Sequence, residues 1–423
     1  MKDNISDNLE KFILDFNSFE KRNKLFYICI DSEGFKWWDI VRYDVQFALC
    51  EFNGIYSYPL KTYEDLILKI FRLTRKFLNL IGYFIKFYFM KKNQYKRIFI
   101  FNRNLFCINQ EINKFKSQSF LITNNNLINQ NGLKKESVDF IIKLLSRFVF
   151  VPKSLISEFK YIDEKINNNF KTEIDFVKIF TENYKKFKSS YFIWKNILKR
   201  FKNLNSVGLI NDGSLKSVCY LTNKLNIISQ EFQHSIIAPN HIGYMYPKLY
   251  EKILTLPSEI ILTRNEFEVN YPVKSKVYKQ NKNIKNKAKN FKKDIDLLIG
   301  TSRVMYSNLK TLIEKLQINN ISFAIKLHPA QTKNDFLSTI NSENKNFEIF
   351  AGNEDFVELA KRTKIYIPCN PTSTTVIEAS ENGALVYILE KSKELITSST
   401  NKYVDKYFDK IDQLTDAIKL IIF

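Results

Sequence analysis

Short apolar runs, each bounded by polar residues and followed by a helical stretch, recur along most of the chain. In the first part they occupy residues 24–30, 97–101 and 119–123. Runs of this kind are typical of strands buried on both faces of a parallel sheet. We predict a helix at residues 8–19, before the first of these strands, and another at residues 37–52, between the first and the second. This alternation predicts an α/β fold.

The pattern occurs in two separate series. The first continues through a mostly helical stretch, 133–203, and strands at 205–210 and 225–229. The second contains strands at 294–300, 321–326, 364–368 and 384–389, and a last helix from residue 404. We therefore predict one domain at 1–272 and another at 294–423, joined by a basic linker at 273–293. The last helix could pack back on the first domain.

The charge of the chain calls for an anionic partner. Its 423 residues carry a formal net charge of +21, and the linker 273–293 alone holds nine lysines and no acidic residue. A surface this basic attracts phosphates, whether of nucleic acid, anionic lipid or nucleotide. Abundant lysine, asparagine and isoleucine also indicate an A+T-rich genome, which accounts for part of the excess.

Cysteine usage and hydropathy indicate the compartment. The five cysteines are scattered and form no CxxC pair, which argues against disulfides or a zinc site. No apolar run reaches the roughly 18 residues that a spanning helix needs, and the N-terminus lacks an apolar signal segment. We expect reduced thiols and a cytoplasmic protein, associated at most peripherally with the inner face of the membrane.

Polar residues follow two neighbouring strands of the predicted second domain. His328 and Pro329 come directly after the strand at 321–326. The strand at 364–368 leads to a helix that opens with Ser373, Thr374 and Thr375. Ligands of open α/β sheets bind at the carboxyl ends of the strands, and a helix N-terminus favours phosphate. Together these residues predict a phosphate cradle, although a structural histidine and a plain helix cap are the alternatives.

An acidic residue follows a predicted strand of the first domain. Asp212 comes after the strand at 205–210, and Gly213 permits a tight turn there. A carboxylate opposite a phosphate site suits inverting sugar transfer, because a base must take the acceptor hydroxyl proton while the nucleotide phosphate leaves. Asp-Gly is also common in ordinary turns. In the second domain, Glu378 is placed either to accept hydrogen bonds from a ribose or to complement the helix dipole.

Three of these motifs carry a family resemblance. Asn211-Asp212-Gly213, His328-Pro329 and Ser373-Thr374 resemble, in their order and spacing, the three motifs of the bacterial sialyltransferases of the GT-B fold. The resemblance implies two facing Rossmann-like domains with a cleft between them, the acceptor-side domain first and the nucleotide-sugar-binding domain second. It implies Asp212 as the base and His328, with the hydroxyls, as the partner of the leaving phosphate. Asn211 stands where the family usually has an acid, which leaves the donor open.

A second segment has a different resemblance. Residues 231–244 resemble the Gln-His-Gly…His…Gly-Tyr segment of bacterial capsule and lipopolysaccharide glycosyltransferases, with Ser235 where glycine is commoner. This implies a surface-polysaccharide role and a glycan or glycolipid acceptor. An acceptor or sugar pocket is assigned on this basis to Gln233, His234, His241 and Tyr244, with a structural role as the alternative.

The expected activity is inverting transfer from a nucleotide-activated sugar, with CMP-sialic acid or CMP-Kdo favoured as the donor. The alternatives are an NDP-sugar-dependent glycosyltransferase and a nucleotide-sugar epimerase of similar fold. No DxD-like carboxylate pair lies beside the proposed cradle, so we expect neither a metal nor another cofactor. A nucleic-acid partner is disfavoured because the chain has no arginine-rich helix or recognition motif.

A basic, amphipathic stretch occupies residues 60–92. It interleaves phenylalanine, leucine and isoleucine with arginine and lysine. A helix of this composition can lie on an anionic membrane, so we expect peripheral membrane contact there. A core helix with one solvated cationic face is an equally weighted alternative.

Overall fold

Two parallel sheets, each with helices packed on it, make up the computed structural model. The structure describes residues 5–53, 94–101, 112–123, 132–210, 215–233, 244, 246, 253–262, 275–279, 292–301, 309–328, 331–340, 347–350, 354–369, 373–389, 401 and 403–423.

The first sheet has seven parallel strands in the order β3-β2-β1-β4-β5-β6-β7. The strands are β1 (Arg97–Phe101), β2 (Ser119–Thr123), β3 (Gly132–Leu133), β4 (Ser206–Leu209), β5 (Ile228–Phe232), β6 (Glu259–Leu262) and β7 (Lys276–Lys279). Strands β2 and β3 are added on one side of β1 and strands β4 to β7 on the other, so the order in which strands are added reverses between β1 and β4. In doubly wound sheets such a switch point is where ligands bind.

The helices of this part cover the sheet and form a second core beside it. They are α1 (Ile5–Arg22), α2 (Leu25–Ile28), α3 (Trp37–Phe52), α4 (Lys135–Ser146), α5 (Lys153–Phe170), α6 (Phe176–Leu198) and α7 (Lys216–Lys224). Helices α4, α6 and α7 pack Val138, Trp194 and Val218 against the sheet. An aromatic core that includes Trp37, Phe159 and Phe180 joins α3, α5 and α6.

A buried ion pair fixes α1 to α3. The Arg42 guanidinium donates to both carboxylate oxygens of Glu20, at 2.6 and 3.0 Å, and Trp38 Nε1 donates to Glu20 at 2.7 Å. Arg42 also lies over the ring of Tyr246, 4.3 Å from its centroid. Because Glu20 and Arg42 are both buried, each needs the other to balance its charge.

The second sheet has six parallel strands in the order β10-β9-β8-β11-β12-β13. The strands are β8 (Ile295–Gly300), β9 (Ala324–Lys326), β10 (Glu348–Phe350), β11 (Thr363–Pro368), β12 (Leu385–Leu389) and β13 (Lys406–Phe408). The helices are α8 (Leu309–Ile318), α9 (Lys333–Ile340), α10 (Phe356–Arg362), α11 (Thr374–Glu381) and α12 (Ile411–Ile422). One face packs on α8 and α12, and the other on α10 and α11.

The α/β class and the two Rossmann-like units predicted from the sequence are confirmed. Both sheets follow the doubly wound order 3-2-1-4-5-6, and the first adds one strand at its edge. Two such units in one chain are the make-up of the GT-B fold. All pairings between the described strands are parallel, and parallel strands need long crossover connections, which are usually helical.

Two segments differ from the sequence-based expectation. Residues 24–30, expected as a strand, contain helix α2, because Leu25 and Phe26 bury against helices while Tyr27 and Ile28 remain exposed. A strand inside a parallel sheet is buried on both faces, and this run is not, because two of its large apolar side chains are exposed. Residue 404 precedes a short edge strand rather than a helix, and Asp405 fixes that strand by accepting from the Val386 backbone N–H at 2.7 Å.

The domain limits have structural detail that the sequence did not indicate. Strand β7, within the segment 273–293 expected as a linker, pairs with β6 and ends the first sheet. Helix α12 buries Leu414 and Ile418 in the core of the second sheet. Of the described residues, Ile377 and Tyr403 join the second domain to the aromatic core of the first.

Candidate functional site

Three strands of the second sheet end at the same level, next to its switch point. In the strand register Gly300 of β8 lies opposite Pro368 of β11 on one side and Lys326 of β9 on the other. The chain that follows each strand therefore emerges at one edge of the sheet. Thr301 follows β8, His328 follows β9 and Ser373 follows β11. The structure thus places His328 and the pair Ser373-Thr374 next to the ends of the two strands that flank β8.

Hydrogen bonds fix the backbone at His328. Its N–H donates to Thr301 Oγ1 at 3.0 Å and to Gln331 Oε1 at 3.1 Å, and Gln331 N–H donates back to the His328 carbonyl at 2.9 Å. The side chain of His328 is half-buried. Pro329 lies outside the described residues. The turn after β9 is therefore held by β8 on one side and by Gln331 on the other.

A buried lysine lies beside this turn. Lys326 ends β9, and its Nζ donates to the Leu327 carbonyl at 3.0 Å. Burial lowers the pKa of Lys326, while the charges of Glu354 and Asp355 oppose that shift. This side chain adds positive charge to the edge of the sheet at which the candidate site lies. Sequence analysis missed it, because a lysine in an apolar run looks like a solvated strand end.

Three hydroxyl groups form a chain at the N-terminus of α11. Tyr366 Oη donates to Thr375 Oγ1 at 2.7 Å, and Thr375 Oγ1 donates to Ser373 Oγ at 2.9 Å. Ser373 is the N-cap, and its Oγ also accepts from the Thr375 backbone N–H at 3.3 Å. A serine oxygen has two lone pairs and one proton. Both lone pairs are used within the described structure, so the proton of Ser373 is left to donate outward.

Tyr366 is the fixed end of that chain. It is buried, and burial raises the pKa of its phenol well above the ordinary value, so the hydroxyl stays protonated and acts as a donor. Its ring lies over Gly300 on the neighbouring strand. Tyr366 was not among the predicted site residues, because a tyrosine in a buried strand carries no sequence signal for a role beyond packing.

Helix α11 contacts both domains. Val376 and Ala379 belong to a core of the second sheet, whereas Ile377 belongs to the aromatic core of the first domain. Thr374 and Glu378 are half-buried. Glu378 is close enough to Tyr366 for its charge to contribute to the raised phenol pKa. The hydroxyl chain therefore lies at one end of a helix that packs between the two domains.

At the carboxyl edge of the first sheet, β4 ends at Leu209 and α7 begins at Lys216. Asp212 falls between these two points in sequence and lies outside the described residues. Lys216 anchors the start of α7 to α3: its Nζ donates to the Ile40 carbonyl at 2.6 Å and lies 3.6 Å from Asp44. The chain that leads out of the Asp212 segment is therefore held against α3.

A buried carboxylate lies on the strand beside β4. Glu231 of β5 pairs in register with Leu209 and accepts a hydrogen bond from the hydroxyl of Tyr244. Burial and the charge of Glu231 raise the pKa of Tyr244 well above its ordinary value. Gln233 is also buried, and its N–H donates to the Ile261 carbonyl at 3.1 Å. His234 and His241 lie outside the described residues, so only Gln233 and Tyr244 of the predicted sugar pocket are located.

Neither a metal cluster nor a membrane-spanning helix is found in the part of the chain that the structure describes. There, His, Cys, Asp and Glu side chains nowhere form a group of three or more that could hold a metal ion. Within the same residues, no helix is both long and apolar enough to cross a bilayer.

Comparisons with known proteins return structural neighbours only. No protein-family model matches the chain, and no curated protein matches it. Among solved structures, UDP-GlcNAc 2-epimerase from Methanocaldococcus jannaschii is 13% identical with a TM-score of 0.42, over 77% of this chain and 92% of its own. MurG of Acinetobacter baumannii is 9% identical with a TM-score of 0.38, over 78% and 91%.

A third neighbour is the spinosyn rhamnosyltransferase SpnG complexed with thymidine diphosphate. It is 8% identical with a TM-score of 0.40, over 77% of this chain and 91% of its own. All three TM-scores are below 0.5, so these similarities do not indicate an activity for this chain.

Proposed function

We propose that the protein is an inverting glycosyltransferase that takes a sugar from a nucleotide-activated donor. The observation that carries the proposal is the hydroxyl chain from Tyr366 through Thr375 to Ser373. It leaves the hydroxyl proton of Ser373 at the N-terminus of α11, at the switch point of a doubly wound sheet. Such a place favours a phosphate, because N–H donors and the helix dipole act together there.

The leaving phosphate is stabilised by this chain's own groups. Ser373 and the backbone of α11 donate hydrogen bonds to it. His328, which follows the strand on the other side of β8, donates to the same phosphate or protonates it as the glycosidic bond breaks. The buried ammonium of Lys326 adds a favourable field. Donors fixed in advance by Tyr366 and Thr301 need no reorganisation when negative charge develops on the leaving group.

Asp212 acts as the general base. Its carboxylate takes the proton of an acceptor hydroxyl, and the hydroxyl oxygen attacks the anomeric carbon. The bond from that carbon to the phosphate oxygen breaks, and its electron pair stays on the phosphate. Attack opposite to the leaving group inverts the anomeric centre. In the sequence Asp212 follows β4 of the first sheet, as expected of a base that serves an acceptor-side domain.

The motif resemblance favours a CMP-activated acidic sugar such as sialic acid or Kdo, and a glycan or glycolipid acceptor of capsule, lipopolysaccharide or O-antigen. A UDP-sugar or other NDP-sugar donor is the alternative, because Asn211 departs from the acidic position of the sialyltransferase motif. Synthesis of such glycans would place the protein at the inner face of the cytoplasmic membrane, with peripheral contact through residues 60–92.

A thermal-shift titration with CMP, UDP and inorganic phosphate tests the nucleotide site. A nucleotide at 100 times its dissociation constant should stabilise the protein by about 2.7 kcal/mol. We expect His328→Ala to weaken binding most, and Ser373→Ala to weaken it about tenfold, a loss of about 1.4 kcal/mol. Ser380→Ala is the matched control, because Ser380 lies near the other end of α11. Equal affinities in all three variants would refute the cradle.

Product analysis separates transfer from the epimerase alternative. Wild-type protein is incubated with CMP-sialic acid or UDP-GlcNAc, with and without a mixture of bacterial glycolipids. Transfer predicts release of free nucleotide and a larger glycolipid only when acceptor is present. Turnover of the donor to an isomer without any acceptor would assign an epimerase instead.

A further inference from the structure

Two phenylalanines protrude from the surface between α4 and α5. Phe148 is 77% exposed and Phe150 is 76% exposed. Leu144, in the last turn of α4, is exposed as well. Large apolar side chains grouped in this way at a surface mark a contact with a partner or a membrane more often than chance exposure does.

The same stretch is basic. Residues 143–153 contain exposed Lys143, Arg147 and Lys153 and no acidic residue. The neighbouring acids have other partners: Asp139 pairs with Lys135 at 3.0 Å, and Glu158 accepts from Trp37 Nε1 at 3.1 Å. The three cations are therefore not balanced by acids of their own stretch, and they lie on both sides of the two phenylalanines in the sequence.

The exposed apolar residues at the end of α12 lack this charge. Leu420 and Phe423 at the end of α12 are 86% and 83% exposed. That helix carries Asp412 and Asp416 beside its single lysine, Lys419, so it has no excess positive charge. Two exposed phenylalanine rings with cations that their own stretch does not balance thus distinguish residues 143–153 from the end of α12.

We propose that residues 143–153 form an aromatic-basic loop that docks on an anionic lipid bilayer. The rings of Phe148 and Phe150 enter the interface between headgroups and acyl chains, and the three cations bind lipid phosphates. Interfacial contacts of this kind combine buried apolar area with attraction to anionic lipid, and each basic residue adds to the affinity. The loop is separate from residues 60–92, and the proposal does not depend on the reaction catalysed.

Co-sedimentation with vesicles tests the loop. Full-length protein is mixed with vesicles of phosphatidylcholine alone or phosphatidylcholine with phosphatidylglycerol. We expect binding only to the anionic vesicles, weakened by added salt. The double variant Phe148→Ser with Phe150→Ser should bind at least about tenfold less. Replacing Lys143, Arg147 and Lys153 by glutamine should lower binding about a hundredfold.

Phe423→Ser is the matched control, because it removes an equally exposed phenylalanine outside the loop. It should bind like the wild type, and circular dichroism and nucleotide binding should be unchanged in all variants. Unaltered vesicle binding in the double variant would overturn the proposal. So would an equal loss in the control, or a change of oligomeric state in the double variant without vesicle binding by the wild type.

Discussion

Tyr366 lies over Gly300 so closely that a Cβ atom on residue 300 would stand 2.2 Å from the phenolic oxygen. That oxygen donates to Thr375 Oγ1 in the first turn of α11. The missing side chain of Gly300 therefore allows the tyrosine to reach the helix. Through Tyr366, the end of β8 determines where the hydroxyl groups of α11 lie.

Gly300→Ala should impair both stability and nucleotide binding. Forcing a methyl group into a packed site costs about 1–3 kcal/mol, and the nearest atom to move is the Tyr366 hydroxyl. Urea denaturation would measure the first effect and a nucleotide thermal shift the second. A fully stable Gly300→Ala protein with wild-type affinity would show that this contact does not position α11.

Combining Gly300→Ala with Tyr366→Phe should separate the two effects. Removal of the phenolic oxygen relieves the closest contact, so we expect the double variant to recover part of the lost stability. Nucleotide binding should stay weak, because Thr375 still lacks its donor. Recovery of both properties together would contradict a role for the hydroxyl chain in binding.

Asp212→Asn should lower turnover about 100- to 10,000-fold, the usual contribution of a general base. Donor affinity and thermal stability should remain close to the wild type, because the asparagine has the same shape. Steady-state kinetics with a donor identified by thermal shift would measure the loss. Full activity would remove Asp212 as the base and make Glu231 and His234 the next residues to test.

Activity should persist in excess EDTA. The proposed donors to the leaving phosphate are Ser373, His328 and the α11 backbone, which together can offset its charge without a divalent ion. The assay is nucleotide release before and after chelation, with Mn²⁺ added back. Loss of activity that Mn²⁺ restores would show that a metal takes part.

Arg42→Met should destabilise the first domain by about 3–5 kcal/mol, because it leaves Glu20 charged and buried without its partner. Arg22→Met is the control, since Arg22 is exposed and bonds only to Asn169 in the described contacts. Its cost should stay within about 0.5 kcal/mol. Comparable losses in the two variants would mean that the buried pair has no special weight.

Thiol labelling should reveal the burial of the cysteines. Burial raises the pKa of Cys50 and of Cys369 to about 12, and it also raises the pKa of Cys29 and Cys219. A group with so high a pKa stays a thiol at pH 8, and the thiolate is the reactive form. Native protein should therefore react with no more than one equivalent of Ellman's reagent, at Cys107, and denatured protein with five.

Long, doubly buried strands were predictable because burial leaves a continuous apolar run. The expected limits of β1 and β2, and of helix α3, coincide with the observed ones. Strands β3, β10 and β13 have only two or three residues each. Segments that short carry no periodicity of their own, and they become strands only because a neighbouring strand offers its hydrogen bonds.

The polar ends of the strands were predictable for a similar local reason. His328 follows an apolar run that predicts a strand, and Ser373 comes just before a segment that predicts a helix. The contacts that fix these residues were not predictable from the sequence. Thr301 lies 27 residues and Gln331 lies 3 residues from His328, and Tyr366 lies 9 residues from Thr375. Thr301 reaches His328 because β8 and β9 pair with Gly300 opposite Lys326. No short sequence motif encodes that register.

The placement of Ile377 in the aromatic core of the first domain has a consequence for modular exchange. A helix that belongs to two cores cannot be transplanted with one of them alone. A chimera that receives the second domain from another protein would place a foreign residue in the aromatic core of the first domain, and the misfit would lie one helical turn from Ser373. Under the proposed function, an exchange of donor preference would therefore have to include the surface of the first domain that packs on α11 as well as the second domain.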